Sequence, residues 1–255
     1  MNKEQIKVVL LAGGKGTRIR EETEITPKPM IKVGKIPVVE HIMNRYIKFD
    51  LNNFIICTGY KNEVINNYFA NYLTTRDFSI NTSNNSITSL NKLPNFNLEV
   101  MFTGDETETG GRIYKIRDRI EDDTFIVSYG DCLADVDIDK LISFHKKQNK
   151  IATITVTKLH SRFGFVELSN NSIITSFREK EKEQQLYSIG FMVFNRKIFD
   201  YLDENIILEK EPFTNLVKDR EIVAYEHDGF FEPMDTYREY LKLNNLWESG
   251  SAPWV

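Results

Sequence analysis

The first half of the chain alternates between apolar runs and amphipathic stretches. Four apolar runs are typical of strands buried in a sheet, at residues 6–12, 53–59, 98–104 and 124–131. Between these runs, apolar positions recur at helical spacing in residues 36–50, 61–73 and 112–120. Strands that alternate with helices predict an α/β fold with a Rossmann-like, doubly wound and mostly parallel sheet. Ligands of such sheets bind outside the carboxyl ends of the strands.

The pattern changes after about residue 150. Shorter strands with few helices between them are predicted at residues 151–157, 164–168, 173–177 and 187–195, and they favour mixed or antiparallel pairing. Later helices are predicted at residues 212–219 and 236–247. The asparagine- and serine-rich residues 76–97 are too long for an ordinary connection, so we interpret them as a hairpin or a subunit contact. Because no segment resembles a linker, we interpret residues 1–255 as one domain.

Charge and cysteine content narrow the class of protein. A formal net charge of −4 argues against a broad nucleic-acid-binding surface, because counterion release needs a dense basic face. Cys57 and Cys132 are predicted to be reduced thiols in the core or at the edge of a site. The apolar run near the N-terminus is too short for a signal sequence or a membrane span. We therefore expect a cytoplasmic protein with no nucleic-acid partner and no membrane partner.

A glycine-rich segment follows the first predicted strand. It consists of Leu11, Ala12, Gly13, Gly14, Lys15, Gly16, Thr17 and Arg18. Glycines let backbone N–H groups approach an anion closely, and an arginine offers a planar fork to phosphate oxygens. The segment fits neither G-x-x-x-x-G-K-[ST] nor G-x-G-x-x-G. A plain glycine turn is the alternative, and Lys28 weakens it because two prolines hold that lysine in a fixed direction.

Two aspartates are candidate metal ligands. Asp131 ends a predicted strand, at the ligand-binding edge of the sheet, and Asp235 stands just before a predicted helix. Mg²⁺ is commonly bound by one or two carboxylates together with phosphate oxygens, so this pair suits a hard cation. Taken alone, Asp235 is equally compatible with a role near the helix N-cap.

The chain resembles the sugar-phosphate nucleotidyltransferases, and within them the cytidylyltransferases that use glucose 1-phosphate. The elements that carry the resemblance are LAGGKGTR with KPM, TGGR (109–112), YGD (129–131), EPMDT (232–236) and LWESGSAPW (246–254). The resemblance implies Mg²⁺-dependent transfer of CMP from CTP to a phosphorylated small-molecule acceptor, with release of pyrophosphate. It also implies a homo-oligomer, with a nucleotide-binding half of about residues 1–135 and an acceptor-binding half of about 136–255.

The resemblance also implies roles for single residues. Arg18 and the amides of the glycine segment would grip the β- and γ-phosphates, and Lys28 would lie near the phosphate that is transferred. Asp131 and Asp235 would hold Mg²⁺. The remaining nucleotide-binding candidates, which include the contacts to cytosine and ribose, are Thr109, Gly110, Arg112 and Gly130. The acceptor-binding candidates are Tyr129, Arg162, Glu179, Lys180 and Ser188.

The sequence departs from the family pattern around the acceptor. Glu181 replaces a proline, Ser188 replaces an asparagine that reaches sugar hydroxyls, and Ile189 replaces a glycine. We expect the isoleucine to add bulk where the backbone approaches a ligand. Losing a polar contact to a substrate hydroxyl changes discrimination strongly. The acceptor is therefore either glucose 1-phosphate or another compound: another sugar 1-phosphate, a phosphonate, or an amino-acid phosphate such as phosphoglutamine in capsule phosphoramidate synthesis.

Two further alternatives remain open from the sequence. A catalytically idle nucleotide-binding regulatory module could share this fold, but it would be expected to lose Lys28, Asp131 or Asp235, and all three are present. An enzyme that uses UTP or dTTP would keep the same chemistry. The TGGR element argues against that choice, although base selection depends on small differences between contacts.

Overall fold

The computed structural model describes residues 5–14, 16, 26–160, 164–179 and 182–255. Its strands are, in chain order, β1 (Lys7–Ala12), β2 (Lys32–Val33), β3 (Ile36–Pro37), β4 (Asn53–Thr58), β5 (Phe78–Asn81), β6 (Ser86–Ser89), β7 (Asn97–Phe102), β8 (Thr124–Tyr129), β9 (Cys132–Ala134), β10 (Ala152–His160), β11 (Phe165–Leu168), β12 (Ile174–Arg178), β13 (Lys182–Asn195), β14 (Ile222–Glu226) and β15 (Phe231–Pro233). Its α-helices are α1 (Val38–Ile47), α2 (Asn62–Ala70), α3 (Thr109–Lys115), α4 (Ile138–Gln148), α5 (Glu211–Lys218) and α6 (Tyr237–Glu248). Short 3₁₀ helices lie at Lys28–Met30, Tyr72–Thr74, Arg117–Arg119 and Arg196–Tyr201.

The described strands form one main sheet with the order β14-β10-β13-β8-β1-β4-β7. Strands β1, β4, β7 and β8 run parallel to one another, and β10 runs parallel to β14. Strand β13 is antiparallel to both of its neighbours, β8 and β10. The predicted doubly wound sheet with mixed pairing in the second half is therefore confirmed. The prediction of shorter strands there is wrong for β10 and β13, which span 9 and 14 residues.

Strand β1 is an interior strand of the sheet, between β8 and β4, and its burial agrees with this position. Val8, Val9 and Leu10 are fully buried, and alternate side chains enter two separate apolar clusters on the two faces. Helix α1 covers one face with residues such as Met43, and α3 covers the other with Ile113. Fully burying an aliphatic side chain of this size contributes about 1.5–3 kcal/mol. The two covered faces hold the carboxyl ends of β1 and β8 side by side.

One helix differs from the sequence prediction. The pattern predicts a helix over residues 112–120, but α3 begins at Thr109 and ends at Lys115, so residues 109–111 form its first turn. Residues 76–97 contain the β5–β6 hairpin, which confirms one of the two interpretations of that segment. Cys57 and Cys132 are free and buried, as predicted. Across the described part of the chain, no helix is long and apolar enough to cross a membrane.

Candidate active site

A cleft of about 410 Å³ opens at the carboxyl ends of β1 and β8. It is lined by Leu11, Ala12, Gly13, Gly14, Gly16, Lys28, Pro29, Thr107, Glu108, Thr109, Arg112, Tyr129, Asp131 and Asp235. Ligands of open α/β sheets bind at this edge. The cleft thus brings together most of the nucleotide-binding candidates that the structure describes, together with Lys28, Asp131 and Asp235, which are three of the four residues predicted to be catalytic. The fourth, Arg18, lies outside the described residues.

Lys28 lies between the two candidate metal ligands. Its ammonium nitrogen is 2.6 Å from Asp131 Oδ2 and 2.5 Å from Asp235 Oδ1. Burial alone would lower the pKa of Lys28, but the two carboxylates outweigh this effect and hold that pKa above its usual value. Lys28 is therefore a fixed positive charge at neutral pH, and the two carboxylates converge on one cationic atom.

Backbone geometry brings the two aspartates together from distant parts of the chain. Asp131 follows β8, and Gly130 donates its N–H to Leu11 O at 3.0 Å. A Cβ on Gly130 would lie 2.9 Å from that oxygen, so a glycine permits the close approach. Strand β15 pairs with β9, and the N–H of Met234 donates to Asp131 O at 2.9 Å. Asp235 therefore emerges beside Asp131.

The start of α6 fixes the backbone at Asp235. Thr236, and not Asp235, is the N-cap residue of this helix, and it forms a capping box with Glu239. The N–H groups of Asp235 and Thr236 both donate to Glu239 Oε2, at 2.8 and 2.9 Å. Asp235 therefore lies in the N-cap region, as the alternative interpretation has it, but Thr236 provides the cap and the Asp235 carboxylate contacts Lys28.

Arg112 is buried beneath the glycine segment. Its guanidinium donates to the carbonyl oxygens of Gly13, Thr58 and Gly104 at 2.9–3.0 Å, and to Thr103 Oγ1 at 2.7 Å. Burial lowers the pKa of Arg112, although an arginine side chain stays charged at neutral pH. The arginine therefore ties β1, β4 and the loop after β7 together below the cleft. Its predicted contact with the base stays a prediction.

The glycines of this region have different structural roles. A Cβ on Gly13 would lie 2.0 Å from the Arg112 guanidinium, so Gly13 makes room for that side chain. A Cβ on Gly14 would meet nothing within 4 Å, so the space above Gly14 is open. A Cβ on Gly110 would lie 2.8 Å from the carbonyl oxygen of Ile206. Gly110 therefore packs against protein backbone, and its predicted nucleotide contact stays a prediction.

Tyr129 is held in place from two sides. A Cβ on Gly190, which has a φ of +77°, would lie 2.2 Å from the tyrosine ring. The Tyr129 hydroxyl donates to Glu209 Oε1, and the other oxygen of this carboxylate accepts a hydrogen bond from Thr109 Oγ1 at 2.7 Å. Burial and the Glu209 carboxylate raise the pKa of Tyr129, so the phenol stays protonated. Glu209 thus links one wall of the cleft to the other.

Two predicted acceptor-binding residues, Glu179 and Ser188, are not among the described residues that line the cleft. Ser188 and Glu179 are both exposed. Ile189 is 2% exposed and lies in the apolar cluster on the α1 face of the sheet, so the expectation that it crowds a ligand is wrong. Because successive side chains of a strand point to opposite faces, the side chain of Ile189 points away from the face of the exposed Ser188 and into the core.

Comparisons with known proteins identify the family of this chain. The model of the family described as nucleotidyl transferase matches residues 7–226. A glucose-1-phosphate cytidylyltransferase of Salmonella typhi is 41% identical over 254 residues, which cover 98% of each chain.

The chain belongs to the nucleotidyl transferase family.

Two solved structures show that the fold of this nucleotidyltransferase is shared more widely. A UDP-glucose pyrophosphorylase complexed with UDP-glucose has a TM-score of 0.70 at 17% identity, covering 96% of this chain and 99% of that chain. A UTP-bound UGPase from Acinetobacter baumannii has a TM-score of 0.69 at 18% identity, covering 95% and 93%. At these identities, the likeness extends to the fold alone.

Nucleotidyltransferases of this family generally use a divalent metal ion. Among the described residues, no group of three or more histidine, cysteine, aspartate or glutamate side chains could hold one. Asp131 and Asp235 are two carboxylates that already converge on one positive charge. This donor set fits a hard cation that takes its remaining ligands from phosphate oxygens and water.

Several residues of the cleft were not predicted from the sequence. Thr107 and Glu108 line it immediately before the TGGR element, and Pro29 lines it next to Lys28. Glu209 belongs to no motif and lies in a loop, so only its contacts reveal it. The predicted site residues Lys15, Thr17, Arg18, Arg162 and Lys180 lie outside the residues that the structure describes.

Proposed function

We propose that this enzyme transfers CMP from CTP to a sugar phosphate, with glucose 1-phosphate as the first candidate, and releases pyrophosphate in a Mg²⁺-dependent reaction. One observation carries the proposal: Lys28 bridges Asp131 and Asp235 beside the glycine segment. The choice of CTP as donor and glucose 1-phosphate as acceptor rests on the similarity to the glucose-1-phosphate cytidylyltransferase of Salmonella typhi, which matches this chain almost end to end.

In this proposal, the residues of the cleft hold two anionic substrates against each other. The open space above Gly14 admits a triphosphate close to backbone N–H groups. Lys28 supplies a fixed positive charge next to the phosphate that is attacked. When Mg²⁺ is bound by Asp131 and Asp235, it supplies further neutralisation of phosphate charge. The acceptor phosphate attacks the α-phosphorus in line, so positioning and electrostatics account for the catalysis.

The test is a pyrophosphate-release assay in which CTP, UTP, dTTP, ATP and GTP are each paired with glucose 1-phosphate. The proposal predicts release with CTP and Mg²⁺, and loss of release when EDTA removes the metal. Faster release with UTP or dTTP would contradict the choice of donor. The absence of release with every nucleotide, from folded protein that binds one of them, would favour the regulatory module.

The acceptor has a second candidate class, because an exposed Ser188 stands where the family has an asparagine. A panel of other sugar 1-phosphates, phosphonates and amino-acid phosphates with CTP separates the two classes. If one of these compounds exceeds glucose 1-phosphate in kcat/KM by about tenfold or more, which is the lower end of the discrimination that a single small group gives, the acceptor assignment changes while the donor assignment stands.

A further inference from the structure

Trp254 is buried although it is the second-last residue of the chain. Its indole N–H donates to His41 Nδ1 at 3.2 Å, and His41 Nε2 lies 2.9 Å from Val33 O. An indole nitrogen can only donate, so His41 Nδ1 must be the acceptor. The proton of a neutral His41 is then on Nε2, which donates to Val33 O. Burial lowers the pKa of His41, in agreement with this neutral form.

Trp247 covers the turn between β2 and β3. A Cβ on Gly34 would lie 2.1 Å from Trp247 Nε1, and Gly34 has a φ of +63°. The Gly34 N–H donates to Asn244 Oδ1 at 2.9 Å. The ring of His41 meets that of Trp247 edge to face, with 4.7 Å between centroids. Trp247, Trp254 and His41, which we call the tryptophan clamp, therefore grip the β2–β3 turn.

The tryptophan clamp connects the two segments that carry Lys28 and Asp235. On one side, Lys28 belongs to the 3₁₀ helix that leads directly into β2, and the N–H of Ile31 donates to Lys28 O at 3.2 Å. On the other side, Asp235 immediately precedes Thr236, the N-cap of α6, and Trp247 lies near the end of that helix. Trp254 also packs against Phe230, just before β15, with 5.6 Å between ring centroids.

We infer that the tryptophan clamp is a set of positioning residues that holds Lys28 in register with Asp235. None of its three members is among the described residues that line the cleft. It acts through the backbone of β2 and through α6, so it sets where the Lys28 ammonium lies relative to the carboxylates. A misplacement of about 1 Å at reacting groups can lower turnover about 100-fold, so a remote clamp is able to affect the rate. The consequence for turnover rests on the proposed function.

The test uses Trp254→Phe, which keeps an aromatic ring and removes the N–H donor to His41. Two quantities are measured: the rate at which an amine-reactive reagent labels Lys28, read by mass spectrometry, and the kinetics of pyrophosphate release. We expect labelling of Lys28 to rise several-fold and kcat to fall about tenfold, while the KM for CTP stays within about twofold. His41→Gln, which keeps a donor for Val33 O, should show a smaller change in both.

Phe125→Leu is the matched control, because this fully buried phenylalanine lies near the amino end of β8, in the cluster on the other face of the sheet. It should lower the melting temperature without changing Lys28 labelling or kcat. If Trp254→Phe does not fold, Trp247→Phe carries the same test.

The inference is overturned if the folded clamp variants label Lys28 at the wild-type rate, or if they lower the melting temperature and leave kcat unchanged, as the control should. The labelling measurement needs no substrate. It therefore decides the inference even if wild-type protein releases no pyrophosphate, the outcome that would instead refute the proposed function.

Discussion

The predicted nucleotide-binding and acceptor-binding residues are packed differently. On the predicted nucleotide side, Arg112 is buried and donates to oxygens of Gly13, Thr58, Thr103 and Gly104. On the predicted acceptor side, Ser188 is exposed and is not among the described residues that line the cleft. A buried charge must be paired on every side, whereas exposed side chains are satisfied by water. The fold therefore constrains the framework around Arg112, whereas position 188 is free to vary.

The largest effect on turnover is expected from a substitution at the centre of the cleft. Asp131→Asn removes one of the two charges that face Lys28, so turnover should fall about 100-fold or more while the fold is retained. Asp137→Asn is the matched control, since Asp137 caps α4 outside the cleft and should affect stability alone. Pyrophosphate release and circular dichroism provide the two measurements. Wild-type turnover in Asp131→Asn would remove this residue from the metal site.

The next effect tests the framework on the nucleotide side. Arg112→Lys cannot reach all the oxygens that the guanidinium satisfies, and each unpaired buried oxygen costs about 1–3 kcal/mol. We expect a loss of about 2–4 kcal/mol in the free energy of unfolding and a KM for CTP raised about tenfold. Arg119→Lys, at an exposed ion pair with Glu99, is the control and should change neither. Equal effects of both variants would contradict a special role for the buried arginine.

The dependence of the stability on pH tests a second consequence of burial. His145 is buried against Thr153, and burial lowers its pKa to about 4. Between about pH 6.5 and pH 4 the unfolded state binds a proton that the folded state does not, so stability falls as the pH falls through this range. The loss that His145 causes should reach about 3 kcal/mol at most. Urea unfolding at several pH values should show this slope, and His145→Asn should reduce it.

The smallest effect is expected on the exposed acceptor side. Ser188→Asn supplies the longer amide side chain that the resemblance to the family implies at this position, so the KM for glucose 1-phosphate should fall a few-fold. The KM for CTP should not change. Ser79→Asn, on the exposed β5 strand, is the control. A change in the KM for CTP that equals the change for the acceptor would contradict the independence of position 188 from the nucleotide-binding residues.

Much of the centre of the site could be predicted from the sequence. Asp131 ends a strongly apolar run, and Lys28 stands between two prolines, so both positions followed from local signals. The burial of Arg112 could not be predicted, because its partners come from three separate segments of the chain. Glu209 could not be predicted either, because it lies in a loop and loops carry no periodicity.

The outline of the fold could be predicted from the sequence. The elements that differ from the prediction do so for local reasons. The first residues of β13, from Lys182, are polar and pair with β10 alone, so no apolar pattern marked them. Helix α3 begins with Thr109, Gly110 and Gly111, and glycine is a poor helix former. Here tertiary packing against the segment around Ile206 overrides the intrinsic preference.

The central claim is that the cleft at the ends of β1 and β8 binds CTP and a metal ion through Lys28, Asp131 and Asp235. A crystal structure with CTP and Mg²⁺ tests it most directly. We predict the triphosphate along the glycine segment above Gly14, and the metal in contact with both aspartates. Nucleotide density elsewhere on the molecule, or a metal that contacts neither carboxylate, would contradict the account.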